Sequence, residues 1–410
     1  MRIDLIHYSA PPVVGGVESV MAQHARLMAG AGHEVRVLAG RGEKFDERVS
    51  LIRIPLADSR HSRILQIKSS LDQGRLPPEF ELAVGELFRT IQEVTAGSEV
   101  LIAHNVCSLN KNLPLTTALF RLSQEKGAPR MILWHHDLAW TTPRYRSELH
   151  DGYPWDLLRS DWPGTTQVVV SELRRQELAD LLQVAQERIM VVPNGLDLAQ
   201  FLKLEERTLE LVMDLDLLLA EPLLLLPVRI TPRKNIELAL RIVAAMRDEF
   251  PHVTLVVTGP LGPHNPNNVR YFERLRSLRG ELSLTGVVHF LAEVNSEYLP
   301  DSMISDFYRL ADALLLPSRE EGFGIPVLEA GLAGIPILCA DIPPLRELAG
   351  DQALYFSADS DPVQVARQIG GLLKSSPTYP MRVRVRSQYS WERVYHERIE
   401  PVIRSGVRKE

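Results

Sequence analysis

Long apolar runs are missing from this 410-residue sequence. No stretch approaches the ~20 consecutive apolar residues of a membrane-spanning helix, so we expect no integral membrane segment. The N-terminal residues MRIDLIHYSA alternate like a β-strand and lack the pattern of a signal peptide. The two cysteines, Cys107 and Cys339, lie far apart in apolar contexts. Their placement argues against a disulfide framework and favours a cytoplasmic location.

Concentrated positive charge is also missing. Lysine and arginine number 46 against 52 acidic residues, the net charge is −6, and the basic residues are spread along the chain. Nucleic acid is therefore not an expected partner. The composition, 45% hydrophobic and 24% charged, is that of a soluble globular protein. Because the chain is too long for one ordinary core, we expect two domains.

The dinucleotide-binding fingerprint is absent as well. A strand-like alternation from Ile3 ends at Pro11, and Gly15 and Gly16 then precede a helical pattern. This opening has the βαβ character of a dinucleotide site, but its glycines are adjacent instead of following G-x-G-x-x-G. A nicotinamide dehydrogenase is therefore disfavoured. The glycine pair either forms a tight turn only or lines a different ligand site.

The most informative segment is ADALLLPSREEGFGIPVLEAGLAG, residues 311–334. An apolar strand is followed by a loop carrying Gly322 and Gly324, and Pro326 then begins a helix. The free backbone N–H groups of such a junction favour an anion. Two carboxylates, Glu321 and Glu329, bracket the loop. A plain turn with two solvated acids has the same pattern, but a nucleoside-diphosphate sugar suits it better, since phosphates lie between two hydroxyl-rich groups.

The nine residues EGFGIPVLE resemble the donor-site signature of retaining GT-B glycosyltransferases, known as glycosyl transferases group 1, the broad class of glycogen synthase, sucrose synthase and phosphatidylinositol mannosyltransferase. Further segments resemble this family in the same order along the chain: the Gly15–Gly16 loop, His136-Asp137 after a strand, PNGLD at 193–197, and the pair Arg229 and Lys234. The chain departs from the family at Val228, where a glycine is expected.

The resemblance implies an α/β fold of the GT-B type, with two Rossmann-like domains facing each other across a cleft. Residues 1–198 with 386–410 would form the N-terminal, acceptor-side domain, and residues 199–385 the C-terminal, nucleotide-sugar-binding domain. The amphipathic segment Trp391 to Ile403 would be a helix that crosses back to the N-terminal domain.

The resemblance also implies roles for individual residues. The donor diphosphate would meet Arg229 and Lys234, Glu329 would bind the ribose, and Glu321 would hold the transferred sugar with His136 nearby. The catalytic set is therefore His136, Glu321, Arg229 and Lys234. The donor-binding set adds Gly16, Gly322, Phe323, Gly324, Ile325 and Glu329. The acceptor-binding set is Gly15, Asn105, His135 and Trp140.

Trp140 begins an aromatic segment that extends to Trp162 and also contains Tyr145, Tyr153 and Trp155. Aromatic faces stack on sugar rings, which would make this segment a platform for the acceptor. The same residues would equally hold a surface loop in place by packing beneath it. The sequence leaves both alternatives open.

The implied reaction moves a hexose from a UDP-, GDP- or ADP-sugar to a hydroxyl acceptor, which could be a sugar, a small polyol or a lipid-linked glycan. The anomeric configuration would be retained through front-face attack. Basic side chains would neutralise the diphosphate and no DxD motif stands at a matching place, so neither a metal nor a cofactor is expected. A sugar-nucleotide epimerase, a sugar phosphorylase and a non-catalytic sugar-nucleotide-binding protein are the alternatives.

Overall fold

A computed structural model describes residues 1–261, 266–294 and 299–405. The chain divides into two compact units: unit 1 comprises Met1–Gly195 with the C-terminal segment from Trp391, and unit 2 comprises Leu196–Ser390. The polar loop at 259–268, for which the sequence indicates no role, has residues 262–265 outside the described part. None of the helices described is both long and apolar enough to cross a bilayer.

Unit 1 is built on a parallel sheet of seven strands in the order β3-β2-β1-β4-β5-β6-β7. The strands are β1 (Arg2–Ser9), β2 (Glu34–Arg41), β3 (Val49–Arg53), β4 (Val100–His104), β5 (Arg130–His135), β6 (Thr166–Val169) and β7 (Ile189–Val191). The helices are α1 (Gly16–Gly30), α2 (Ser62–Leu71), α3 (Glu79–Val94), α4 (Leu113–Ser123) and α5 (Glu172–Leu182). The central strands are almost entirely buried, as expected for a sheet covered on both faces.

Unit 2 has a parallel sheet of six strands in the order β10-β9-β8-β11-β12-β13. The strands are β8 (Leu223–Leu226), β9 (Thr254–Val257), β10 (Val288–Phe290), β11 (Ala313–Leu316), β12 (Ile337–Ala340) and β13 (Ala353–Phe356). The helices are α6 (Leu198–Leu202), α7 (Glu206–Asp214), α8 (Ile236–Met246), α9 (Pro266–Glu281), α10 (Leu291–Val294), α11 (Asp301–Leu310), α12 (Ile325–Ala333), α13 (Pro343–Ala349), α14 (Pro362–Ser375) and α15 (Tyr379–Gln388).

Both sheets reverse their strand order beside the first strand. In unit 1 the chain builds β2 and β3 on one side of β1 and then continues with β4 on the other side. In unit 2 the same reversal occurs between β8 and β11. At such a point the loops that leave the carboxyl ends of the two adjacent strands diverge, and the crevice between them is where doubly wound sheets bind ligands.

A buried ion pair fixes the edge of the unit 2 sheet at which the strands begin, opposite the edge at which the loops diverge. Asp312, which precedes β11, is 0% exposed on its side chain, and its Oδ2 lies 2.7 Å from Nη2 of Arg386 in α15. The same carboxylate oxygen accepts the backbone N–H of Leu223 at the start of β8, at 2.8 Å. Asp312 therefore aligns the beginnings of the two strands whose other ends form the reversal.

The C-terminal segment packs on unit 1. It consists of α16 (Trp391–Val394), a π-helical turn (Tyr395–Ile399) and α17 (Glu400–Arg404). Its apolar side chains join the buried cluster of β1, β2, β4 and β5, and Arg130 donates to the carbonyl oxygen of Val402 at 3.2 Å. Two Rossmann-like parallel-sheet units, with the end of the chain on the first, confirm the predicted fold class.

Gly195 is packed against Trp391 so closely that a Cβ atom would lie 2.5 Å from Cδ2 of the indole ring and 3.0 Å from the Trp391 Cα. We predict that Gly195→Ala lowers the free energy of unfolding by about 1–3 kcal/mol, because the ring and the backbone of α16 must move apart. The measurement is thermal unfolding followed by calorimetry.

Gly85→Ala is the matched control for this substitution. Gly85 lies inside α3, and a Cβ there meets no atom within 4 Å. Removal of a helical glycine should therefore leave the melting temperature unchanged or raise it slightly. Equal effects of the two alanines would contradict the packing constraint at Gly195.

Candidate functional site

In unit 2, one ion pair joins the loops that follow β8 and β11, at the point where the strand order reverses. Lys234 Nζ donates to Glu321 Oε1 at 2.5 Å, and the two side chains are only 9% and 7% exposed. The Ser318 hydroxyl donates to the same carboxylate oxygen at 2.7 Å. Two predicted site residues, 87 positions apart in the chain, are thus in direct contact.

Burial affects the protonation of Lys234 in this pair. Desolvation lowers the pKa of Lys234, and the hydrogen bond to Glu321 opposes that shift. A buried charge that loses its partner costs about 3–5 kcal/mol. Each of the two groups therefore depends on the other, or on ligand groups that replace the contacts of its partner.

Asn235 holds the loop that carries Lys234. Its backbone adopts φ 51°, in the left-handed region that asparagine tolerates. Its side-chain amide donates to the carbonyl oxygens of Pro317 at 3.2 Å and Ala358 at 3.0 Å. The Lys234 loop is therefore tied to the loops after β11 and β13.

Arg229 differs from Lys234 because its side chain is exposed. No ion pair or hydrogen bond of its guanidinium is found in the described part of the chain, so its charge is available at the end of β8. The preceding residue, Val228, is 4% exposed. A Cβ atom on Gly259 would lie 1.9 Å from the carbonyl oxygen of Val228. The loops after β8 and β9 thus pack together through Gly259.

The glycine loop leads into the N-terminus of α12. Gly324 has φ 107°, and a Cβ there would also lie 2.5 Å from Cδ2 of Leu345, so only glycine fits. No side chain caps the helix. Within the described chain, the N–H groups of Gly322, Phe323 and Gly324 donate to no backbone carbonyl. Together with the helix dipole they form a site suited to an anion.

Glu329 lies further along α12. It is held by Tyr308, a residue that the sequence did not indicate. The Tyr308 hydroxyl, in α11, donates to Glu329 Oε2 at 2.7 Å. Burial raises the pKa of Tyr308, and the hydrogen bond to Glu329 adds to the shift. Tyr308 is 4% exposed. The amphipathic pattern of α11 places it on the buried face, but no sequence signal pairs it with Glu329.

In unit 1, Asn105 shapes the ends of β4 and β5. Its backbone has φ 59°. Its side-chain oxygen accepts the backbone N–H groups of His136 and Asp137, each at 2.9 Å. Asp137 also lies near Arg174, with 3.9 Å between Oδ1 and Nη2. Asn105 therefore fixes the turn that presents the His-Asp step.

The two adjacent histidines have different environments. His135 is 3% exposed, and its Nε2 lies 2.8 Å from Gln167 Oε1. His136 lies at the strand end, with Nε2 3.4 Å from His104 Nδ1. Burial lowers the pKa of both residues to about 4. Both rings are therefore neutral at pH 7 and can form hydrogen bonds without carrying a charge.

A cavity of about 500 Å³ opens at the strand reversal of unit 1 and includes Gly15, Gly16 and Asp137 in its wall. A Cβ on Gly15 would lie 2.1 Å from a carboxylate oxygen of Glu18, so the glycine leaves room for that group. Burial would raise the pKa of Glu18, but hydrogen bonds from His7 and Ser9 outweigh it and lower the pKa to about 2. The carboxylate is therefore ionised at neutral pH.

The aromatic segment that follows packs largely onto unit 1. Trp155 and Trp162 are 4% and 1% exposed, and the Trp162 indole N–H donates to the carbonyl oxygen of Leu157 at 3.0 Å. The guanidinium of Arg159 covers the ring of Trp140 at 3.9 Å from its centroid. These contacts favour loop packing for this segment, and they occupy one face of Trp140.

The positive groups described at the unit 2 reversal are two side chains and a helix N-terminus. Across residues 1–261, 266–294 and 299–405, no three His, Cys, Asp or Glu side chains are grouped as a metal site. Lys234, Arg229 and the N-terminus of α12 supply the positive electrostatic potential there. These groups can bind a diphosphate, and Glu321 and Glu329 can accept hydrogen bonds from sugar hydroxyls.

Comparison with known proteins agrees with this arrangement. The family model for glycosyl transferases group 1 matches residues 216–388, and that for glycosyltransferase family 4 matches residues 14–200. Mannosylglucosylglycerate synthase of Petrotoga mobilis is 25% identical, over 84% of this chain and 83% of its own length. MMP alpha-(1->4)-mannosyltransferase of Mycolicibacterium hassiacum is 25% identical, over 92% and 90%. A D-inositol 3-phosphate glycosyltransferase of Streptomyces scabiei is 34% identical, over 38% and 34%.

The two family models match different parts of the chain. The family 4 model lies mostly within unit 1, and the group 1 model lies within unit 2. The relatives that align along 84% and 92% of the chain are named as sugar-transferring enzymes. The strand reversal of unit 2 and the glycine loop lie within the residues that the group 1 model matches. The chain belongs to the group 1 glycosyltransferases and is a glycosyltransferase.

Proposed function

We propose that this enzyme transfers a hexose from a nucleoside-diphosphate sugar to a hydroxyl acceptor, with retention of the anomeric configuration and without a metal. The observation that carries the proposal is the Lys234–Glu321 pair at the unit 2 strand reversal. A cation, a carboxylate and an uncapped helix N-terminus meet there. This combination matches a ligand in which phosphates stand between hydroxyl-rich groups.

Stabilisation of the leaving diphosphate is assigned to unit 2. Negative charge develops on the diphosphate as its bond to the anomeric carbon breaks, and fixed positive groups lower that barrier. Arg229 is suited to a forked contact with phosphate oxygens, whereas Lys234 acts as a point charge. The N–H groups of Gly322, Phe323, Gly324 and Ile325 contribute further donors, and Gly16 in unit 1 would allow close approach of backbone to the phosphates.

The two glutamates are assigned to opposite ends of the donor. Glu329, oriented by Tyr308, accepts hydrogen bonds from ribose hydroxyls. Glu321 binds hydroxyls of the transferred sugar once the diphosphate has taken its place beside Lys234. This exchange gives Lys234 a new charged partner and keeps Glu321 hydrogen-bonded when the donor binds, which avoids the cost of an unsatisfied buried ion.

The reaction itself needs little from the protein beyond positioning and charge. The bond between the anomeric carbon and the phosphate oxygen breaks, and the acceptor hydroxyl attacks the same face. Its proton passes to the departing phosphate oxygen, so the atoms and charges balance. His136, neutral at pH 7, donates a hydrogen bond to the transferred sugar.

Acceptor binding is assigned to the cavity of unit 1, with Gly15 in its wall and Asn105 shaping its edge. His135 is buried against Gln167, and Arg159 covers one face of Trp140. We therefore assign His135 and Trp140 supporting contacts within unit 1 instead of direct contact with the acceptor.

The deciding experiment is incubation with UDP-, GDP- and ADP-hexoses, including mannose and glucose donors, and analysis of the products by NMR. We expect nucleoside diphosphate release, a product with the donor's anomeric configuration, and full activity in EDTA. An epimerised sugar nucleotide would indicate the epimerase, and release that requires inorganic phosphate would indicate the phosphorylase. Donor binding without turnover would leave a binding protein.

The cations provide the first kinetic prediction. Arg229→Ala should lower kcat by ~100-fold or more, because the variant loses several kcal/mol of stabilisation of the departing diphosphate. Lys234→Ala should lower it at least as much. The matched control is Arg233→Ala, which removes an exposed arginine from the same loop and should leave the rates unchanged. Unchanged rates in Arg229→Ala would make that residue a solvated surface charge.

Substitutions of the two glutamates should affect different kinetic constants. Ribose is chemically unchanged during transfer, so Glu329→Gln should mainly raise KM for the donor. Tyr308→Phe should give a weaker rise of the same kind, because it loosens Glu329 without removing it. Glu321→Gln should mainly lower kcat, since the transferred sugar becomes charged in the transition state. A pure KM effect in Glu321→Gln, or a pure kcat effect in Glu329→Gln, would reverse the assignment.

A further inference from the structure

Three cationic side chains line the unit 1 cavity: Arg41, Arg60 and Lys111. Arg60 and Lys111 are exposed, and neither side chain has an ion pair or hydrogen bond among the residues the structure describes. Arg41 is half-buried, and its buried Nε atom has no hydrogen-bond partner. The nearest carboxylate oxygen, on Asp58, lies 3.7 Å away. The cavity therefore has three cations whose hydrogen-bonding capacity is largely unused.

The loop of Lys111 is fixed to the segment that precedes Arg60. Asn112, 1% exposed, donates its side-chain amide to the carbonyl oxygens of Leu56 at 2.9 Å and Ala57 at 3.2 Å. These bonds join the loop before α4 to the turn before α2. Lys111 and Arg60, which are distant in sequence, are thus held on one wall of the cavity.

Arg41 and Arg60 are positioned by the end of β2. A Cβ on Gly40 would lie 2.0 Å from the backbone N of Asp58, so the turn of Asp58 packs directly on this strand. The Asp58 side chain accepts the backbone N–H of Arg60 at 2.9 Å. The Arg41 carbonyl accepts the N–H of Ala10, in the loop after β1, at 2.8 Å. The backbone around these cations is therefore well ordered by hydrogen bonds.

The acidic groups of the same cavity have partners of their own. Glu18 accepts the hydroxyl of Ser9 at 2.7 Å and lies 3.7 Å from the His7 ring. Asp137 lies 3.9 Å from the guanidinium of Arg174. The positive charge of the two exposed cations is therefore not cancelled by direct contact with these carboxylates.

We propose that this cavity binds an anionic group of the acceptor, either a phosphate monoester or a carboxylate, through Arg41, Arg60 and Lys111. The inference rests on the proposed function and narrows its acceptor to a phosphorylated or carboxylated sugar or polyol. Arginine forks match both oxyanions, and lysine adds a point charge. A cavity of about 500 Å³ has room for a ligand of this size.

The donor diphosphate is the competing source of negative charge. Unit 2 already provides Lys234, Arg229 and the N-terminus of α12 for that group. The cations of unit 1 are additional to this set, and they lie in the wall that also contains Gly15 and Asn105. Their number and place favour an anion carried by the acceptor.

The test uses the full chain and matched acceptors: inositol against inositol phosphate, and glucosylglycerol against glucosylglycerate. Initial rates are measured with each, and binding of each is measured by calorimetry. We expect the charged member of one pair to be preferred, by ~10-fold or more in kcat/KM, as one charge-assisted contact provides. The preference should decrease as salt is added. The favoured pair distinguishes a phosphate from a carboxylate.

Variants of the cavity residues test whether the preference for the charged acceptor arises in the cavity. Arg60→Ala and Lys111→Ala should each reduce the preference for the charged acceptor by roughly 10-fold, through the acceptor KM. Lys126→Ala removes another exposed lysine of unit 1, and this variant should retain the preference for the charged acceptor. A preference that survives both cavity variants, or a rise in the donor KM in place of the acceptor KM, would overturn the proposal.

Failure of the proposed function is recognised separately. In that case no sugar nucleotide is turned over by the wild type with any acceptor. Calorimetry on the same full chain then decides about the cavity alone. Tighter binding of the charged compounds, lost in Arg60→Ala, supports the anion site, and equal affinity for charged and neutral compounds refutes it.

Discussion

Parallel pairing places the carboxyl ends of all strands at one edge of each sheet, and the reversal of strand order opens that edge at one position. In unit 2 this position lies between β8 and β11. Lys234 and Glu321, on the two diverging loops, approach to 2.5 Å there although 87 residues separate them. In unit 1 the corresponding position lies between β1 and β4 and opens into the cavity. Topology thus decides which distant residues can act together.

The two openings differ in how their charged side chains are partnered. In unit 2 a buried cation and a buried carboxylate satisfy each other, and the proposed donor would replace these contacts with its own phosphate and hydroxyl groups. In unit 1 the cations Arg60 and Lys111 are exposed and solvated, so they carry no such dependence. The proposed functions follow this difference: the first arrangement suits a ligand with both phosphate and hydroxyl groups, whereas the second suits an anion.

The family resemblance predicted the fold class, and periodicity and glycine placement predicted the strand before the glycine loop and helix α12. Contacts between distant segments were not predictable, because no local pattern encodes them. Tyr308 orients Glu329 from another helix, and Arg159 covers Trp140. The C-terminal segment was predicted as one amphipathic helix, but a π-helical turn at Tyr395–Ile399 interrupts it. Its apolar side chains still face unit 1, so periodicity identified the buried face and not the local hydrogen-bond pattern.

The departure from the family pattern at Val228 has a physical explanation. The loops after β8 and β9 approach so closely that a Cβ at Gly259 would lie 1.9 Å from the Val228 carbonyl oxygen. The contact therefore requires a residue without a side chain at position 259, and Gly259 provides it. Val228 can then fill the adjacent buried space, where it is 4% exposed. Because this constraint acts on position 259, a side chain at 228 is compatible with it, and Arg229 and Lys234 follow on the same loop.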